Sequence, residues 1–163
     1  MKRGISIEDF VKDNPGKSNL VVFKIEPVPM FCCCSGCVRE LWTTINGEIH
    51  PQGPIEHEGS AMLNIQNEQI LLEQHESGPE LIAFLNSVTA ICNFIKLLFS
   101  LSIDAFTKKG ATKIKIIKRT ITTEQKLVNE AVFEIESSKS PEEISKAINK
   151  ILTGNRVKNK FPL

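Results

Sequence analysis

Four of the five cysteines fall within six positions, Cys32, Cys33, Cys34 and Cys37, while Cys92 stands apart. Cys34-Ser35-Gly36-Cys37 is a C-x-x-C pair. Two thiolates at that spacing can reach one tetrahedral zinc through a tight turn, and Ser-Gly suits such a turn. A closed zinc site takes four ligands, and no second C-x-x-C or H-x-x-x-H follows. The candidate metal set is therefore Cys33, Cys34 and Cys37 with His50 and His57. The same pair could act as a redox dithiol, but two prolines and Met30-Phe31 separate it from the nearest strand pattern. Adjacent cysteines could also carry acyl chains. The plainest reading is a set of small, reduced, half-buried hydrophobes, with no cofactor expected.

Other chemistry finds less support. The chain holds no G-x-S-x-G, P-loop, H-E-x-x-H or G-x-G-x-x-G, so catalysis is not the expectation, and no catalytic residue is assigned. Cys37 with His50 or His57 is the only nucleophile–base pairing to name, and only proximity in space could make it one. Lys108, Lys109, Lys113, Lys115, Lys118 and Arg119 form a basic block that could meet a phosphate-rich partner. No aromatic residue is interleaved and tyrosine is absent, which argues against nucleic acid. A solvated face on a lysine-protected edge strand is the better account.

The elements that must position these residues follow from pattern. Residues 6–11 suit one short helical turn before the Asn14-Pro15-Gly16 turn signal. Residues 20–25 are β-branched and aromatic and predict a strand ending at Pro27. Residues 38–45 and 48–50 flank Asn46-Gly47 and predict a hairpin. Residues 61–65 and 69–73 predict a second hairpin around Asn67-Glu68. Ser77-Gly78-Pro79-Glu80 reads as a helix start. Residues 81–106 then run without Gly or Pro, about 39 Å as one helix. Asn86, Thr89, Asn93, Lys96, Ser100 and Asp104 make its narrow polar stripe, with Leu85, Ile91, Ile95, Leu98 and Phe106 expected under cover. Residues 112–122 and 131–135 alternate as antiparallel strands joined by a polar loop or short helix at 123–129. Ser140-Pro141-Glu142-Glu143 opens a last helix running to about Leu152.

Together these predict an α+β fold: an antiparallel sheet packed on one long central helix, plus a short C-terminal helix. The 163 residues suit a single domain over 1–163, with a Cys-containing β-rich part (1–76), a helix-strand-strand-helix part (77–154) and a basic tail (155–163). Hydrophobic residues are 41% and charged residues 24%, which excludes wholesale disorder. The net charge of +1 hides an asymmetry: residues 1–80 carry 6 basic and 12 acidic side chains, residues 81–163 carry 14 and 7. Such halves attract each other or separate partners.

Met1-Lys2-Arg3 is followed by polar residues, so no signal peptide is read and a cytoplasmic setting is expected. One alternative keeps a membrane in play. Residues 81–103 carry a single charge, Lys96, and 23 residues suffice to cross about 30 Å of hydrocarbon. Burying Lys96 would cost about 2.5–3.5 kcal/mol, which favours a core helix instead.

The C-terminal half resembles, in layout, the small effector-associated α/β modules of prokaryotic conflict (defence) systems. The residues that carry the likeness lie within 75–152: Glu76-Ser77-Gly78-Pro79-Glu80, the long apolar helix, the basic strand 113–118, the acidic strand 130–136 and the Ser-Pro-capped helix 141–152. The resemblance implies a non-enzymatic coupling module. The combined expectation is a small intracellular interaction or adaptor protein with a protein partner or a second copy of itself. The alternatives are a thiol- or zinc-site protein and a single-span membrane protein through 81–103.

Overall fold

The computed structural model of the protein describes residues 5–29, 60–75, 78–88, 90–108 and 110–152. Its elements are α1 (Ile7–Lys12), β1 (Leu20–Val28), β2 (Ser60–Ile65), β3 (Glu68–His75), β4 (Gly78–Phe84), α2 (Cys92–Lys108), β5 (Lys113–Ile121), β6 (Leu127–Glu136) and α3 (Pro141–Leu152). The six strands form one antiparallel sheet in the order β2-β3-β4-β1-β5-β6. The fold is α+β, with the 17-residue α2 as the long helix.

Period-two alternation sorts the strands onto two faces. On one face Val21, Phe23 and Ile25 of β1, Leu81 and Ala83 of β4, and Ile114 and Ile116 of β5 meet α2 and α3. Ile95, Leu98, Phe99, Ile103 and Phe106 of α2 are buried there, as are Ile148 and Ile151 of α3. Phe23 sits edge-on to Phe99 at 5.9 Å. On the other face Leu20, Val22, Leu71, Ile82 and Phe84 pack under α1, where Phe10 stacks on Phe84 at 5.1 Å. Such aromatic pairs add about 0.5–1.5 kcal/mol beyond the area they bury.

Local signals explain the element ends. Ser6 and Asp9 form a capping box on α1. The β2–β3 hairpin turns through Gln66 and Asn67, both at positive φ, one residue earlier than the sequence suggests. β1 runs on through Pro27, because Pro27 lies beyond Lys24, the last residue paired with β4, and has a paired neighbour on one side only. The β5–β6 connection is only 122–126, so β6 begins at Leu127 and not at 131. α3 starts at Pro141 as its capping signals predict. The Glu143 amide donates to Ser140 Oγ at 3.3 Å, and the Ser140 amide donates to Glu143 Oε2 at 3.1 Å.

The main correction concerns residues 81–84. The sequence predicts them as the start of the long helix, and the structure places them in β4. That strand lies between β3 and β1 and is covered on both faces, so Leu81, Ile82, Ala83 and Phe84 are all buried. A continuous apolar run has no alternation to distinguish it from a buried helix. The helix begins only at Cys92, and Leu85, expected under cover, is 47% exposed in the connection. Asn93, Ser100 and Asp104 of the polar stripe are exposed. The single span through 81–103 is thereby broken into strand, turn and helix, and among the described residues no helix is long and apolar enough to cross a membrane. The predicted hairpin at 38–50 lies outside the described residues.

Gly78 opens β4 at a φ of 139°, and a Cβ there would fall on the Ile25 carbonyl oxygen. Only glycine fits both demands. Gly78→Ala is expected to destabilise the protein by on the order of 3 kcal/mol, read as a lower urea midpoint. Ser140→Ala removes the α3 cap and should cost about 1 kcal/mol in the same measurement. An unchanged midpoint would show that the cap contributes nothing to the fold.

Candidate interaction surface

Among the described residues, α1 packs on the face opposite α2 and α3 over Leu20, Val22, Ile82 and Phe84, and beside it that face carries Lys24, Glu26, Lys113, Lys115, Arg119 and their acidic partners around the buried Ile117. The registers set Glu26 beside Lys115, Lys115 beside Glu134, and Arg119 beside Glu130. Arg119 Nε contacts Glu130 Oε2 at 2.8 Å, Lys115 reaches Glu26 at 3.5 Å, Lys113 reaches Glu134 at 3.7 Å and Lys24 reaches Glu26 at 3.3 Å. The Lys113–Glu134 and Arg119–Glu130 pairs are open to solvent and contribute about 0–1 kcal/mol each, whereas Glu26, only 13% exposed, holds its two lysines in a more sheltered place; all of them help to hold register.

The structure therefore divides the basic block. Lys113, Lys115 and Arg119 share the open face, each opposite a carboxylate. Lys118 points to the helical face, where its Nζ donates to the Ile151 carbonyl at 3.3 Å and lies 5.8 Å from the Phe23 ring centre. Burial lowers its pKa below the usual lysine value, while the C-terminal end of α3 is a favourable place for its charge. Lys108 ends α2, and Lys109 lies outside the described residues. Among the described residues of the block, Lys113, Lys115 and Arg119 thus lie on one face of the sheet and Lys118 on the other.

The cysteine-centred candidates, Cys33, Cys34, Cys37, His50 and His57, all lie outside the described residues. Cys92 is a free, half-buried thiol at the start of α2. Among the described residues no group of three His, Cys, Asp or Glu side chains could hold a metal ion.

Sequence reasoning missed the outer strand's first residues. Among the described residues β6 ends the sheet, and Leu127 and Val128 are 59% and 62% exposed. Leu127 pairs with Ile121 and Asn129 with Thr120, so Val128 is the extra residue of a bulge. The turn before them is held in shape. The Thr122 amide donates to the Lys126 carbonyl at 2.9 Å, and Gln125 Nε2 donates to Glu8 Oε1 on α1 at 2.8 Å. That bond, first among its causes, holds the Glu8 carboxyl below its ordinary pKa. The adjacent apolar pair after Lys126 was the available signal, and Asn129-Glu130 interrupted its pattern.

A second polar cluster ties the α1 end of the sheet together. Ser87 Oγ donates to Glu68 Oε2 at 2.6 Å, and Lys17 lies 3.4 Å from the same oxygen. Asn14, only 8% exposed, donates to the Phe10 carbonyl and to Gln69 Oε1, both at 2.9 Å. The Ser87 bond is the main reason that the Glu68 pKa is lowered from its ordinary 4.5. A lowered carboxylate pKa stabilises the fold above about pH 4.5, and the contribution fades as pH falls through the lowered value. Ser87→Ala should therefore lower Tm at pH 7, and the gap to wild type should narrow at pH 3. A gap that stays constant between pH 7 and pH 3 would show that the hydroxyl does not act through the Glu68 charge.

Compared with known proteins, the chain matches no protein family, no curated protein and no solved structure.

Proposed function

We propose that this chain is a small, non-enzymatic interaction protein of the cytoplasm, an adaptor that docks a protein partner on its β6 edge. The observation that supports this reading is the pair Leu127 and Val128. They are the two most exposed large hydrophobics among the described residues, and they stand side by side at the start of an edge strand. An edge strand presents unpaired N–H and C=O groups, onto which a partner strand can add by main-chain hydrogen bonds. The hydrogen-bonded turn 122–126 helps to preset the aliphatic pair, which lowers the entropic cost of docking. Of the layout shared with effector-associated modules, the basic β5, the acidic β6 and the capped α3 remain, and on that part of the likeness we place the coupling in prokaryotic defence.

The test compares proteins that copurify with wild type and with a Leu127→Asp/Val128→Asp variant, identified by mass spectrometry. The variant should keep its circular dichroism spectrum and Tm, because both side chains already face water. It should lose the wild-type partner. An identical set of copurifying proteins from a folded variant would remove the β6 edge from the proposal.

A further inference from the structure

The charge pattern of β6 specifies its occupant. Glu130, Glu134 and Glu136 lie on the open face of this edge strand, with Val132 among them, while Ala131, Phe133 and Ile135 lie on the helical face. A strand that fits such an edge alternates basic residues on one face with apolar or neutral residues on the other. Two segments of the chain are written that way: β5, whose Lys113-Ile114-Lys115-Ile116 already pairs with the inner side of β6, and Asn155-Arg156-Val157-Lys158-Asn159-Lys160-Phe161. We infer that the outer edge of β6 takes residues 155–161 of a second copy of this chain as a seventh, antiparallel strand.

The register can be stated. Setting Arg156 opposite Glu134 brings Lys158 opposite Val132 and Lys160 opposite Glu130. The same register sets Val157 opposite the half-buried Phe133 and Phe161 opposite Asn129, next to the exposed Val128. Basic residues then meet acidic ones on the open face, and Val157 meets Phe133 on the other. A one-residue slip would reverse both matches.

Topology explains why the donor is a second copy and not the same chain. Strands β4 and β5 run in the same direction, and the chain crosses from one to the other through α2, stepping toward β6. A crossover from β6 through α3 to a parallel outer strand would step the same way, with its helix on the same face. Its strands, however, run in the opposite direction. The two crossovers would have opposite hands, and such connections are right-handed in about 98% of cases. An antiparallel strand from the same chain is also awkward. Lys118 fixes the end of α3 near the level of Ala131, its partner in β6. The chain would have to climb back to Glu134, descend from the helical layer to the sheet and reverse, all within 153–155. Exchange between two copies removes the problem, and reciprocal exchange closes a two-fold dimer with both seams filled.

This inference rests on β6 being the docking edge and names the partner. The test is sedimentation equilibrium of the full chain over a range of concentrations and salt. Its comparison variants are Arg156→Glu/Lys158→Glu/Lys160→Glu and a chain ending at Leu152. The full chain should dimerise, and association should weaken as salt rises. The charge-reversed variant should keep its fold and associate at least about tenfold more weakly. Hydrogen exchange at residues 130–134 should slow with concentration in the full chain and not in either variant. A folded full chain that stays monomeric overturns the inference, as does a dimer unaffected by the tail changes. A monomer whose Tm falls when the tail is reversed also overturns it, because the chain would then fill its own edge. If the chain is monomeric while Leu127→Asp/Val128→Asp still loses a copurifying protein, the docking edge stands and only the second-copy partner fails.

Discussion

Everything in this fold depends on β1 being paired on both sides and covered on both faces. It pairs with β4 from Leu20 to Lys24 and with β5 from Leu20 to Val28. Leu20, Val21, Val22, Phe23 and Ile25 are each no more than 3% exposed. The first strand of the chain is thus the inner strand against which the later ones assemble. Leu20 lies opposite Ile121, about a hundred residues away in sequence, so the pairing carries a large loop-closure entropy. Burial on both faces offsets that cost: Phe23 is held against Phe99 of α2, while Leu20 and Val22 lie with Phe10 and Phe84. The acidic first half and basic second half of the chain meet at this strand, where Glu26 faces Lys115.

The parity of β5 shows how one strand can serve two layers. Ile114 and Ile116 face the helices, and Lys113, Lys115 and Arg119 face the open side. Lys118 breaks the apolar parity, and the break has a cause. Its stem lies against Phe23 while its ammonium reaches the last turn of α3, where unpaired carbonyls need donors. An apolar residue at that position would fill space but leave the Ile151 carbonyl without this donor.

How much of this was legible depends on whether local pattern and tertiary demand agreed. The capped α3, the alternating β5 and the β2–β3 turn were legible because Ser140-Pro141, the isoleucine–lysine alternation and Asn67 each answer a local need. β4 was not, because Leu81 to Phe84 are apolar for a non-local reason: two separate cores press on one strand. The same four residues in a helix would look no different. Of the candidate sites, the basic block was visible in sequence, but its division between two faces and its carboxylate partners needed the register. The proposed docking edge was hidden because strand order cannot be read from a single chain, and β6 looks like β5 until one knows that it is the last described strand of the sheet.

The two ends of the sheet are not equivalent, and the difference bears on specificity. β2 has six residues, and Ser60 Oγ donates to the Ile5 carbonyl at 2.8 Å, so the chain before α1 already lies against that border. β6 has ten residues and no described neighbour on its outer side. A long free edge invites self-pairing, and short strands or charges are the usual protection. Here the charges are glutamates of a single sign. Two β6 strands laid edge to edge would line both sides of one seam with carboxylates, which is unfavourable. The existing partners Arg119 and Lys113 lie on β5, on the inner side, and leave acid toward the outside. The same residues that oppose the wrong strand would attract a basic one, so in the proposed complex one row of side chains would serve both rejection and recognition. Leu127 and Val128 stand just before that row. There they could add apolar contact area to a partner already aligned by charge, a division of labour that keeps the exposed apolar patch small.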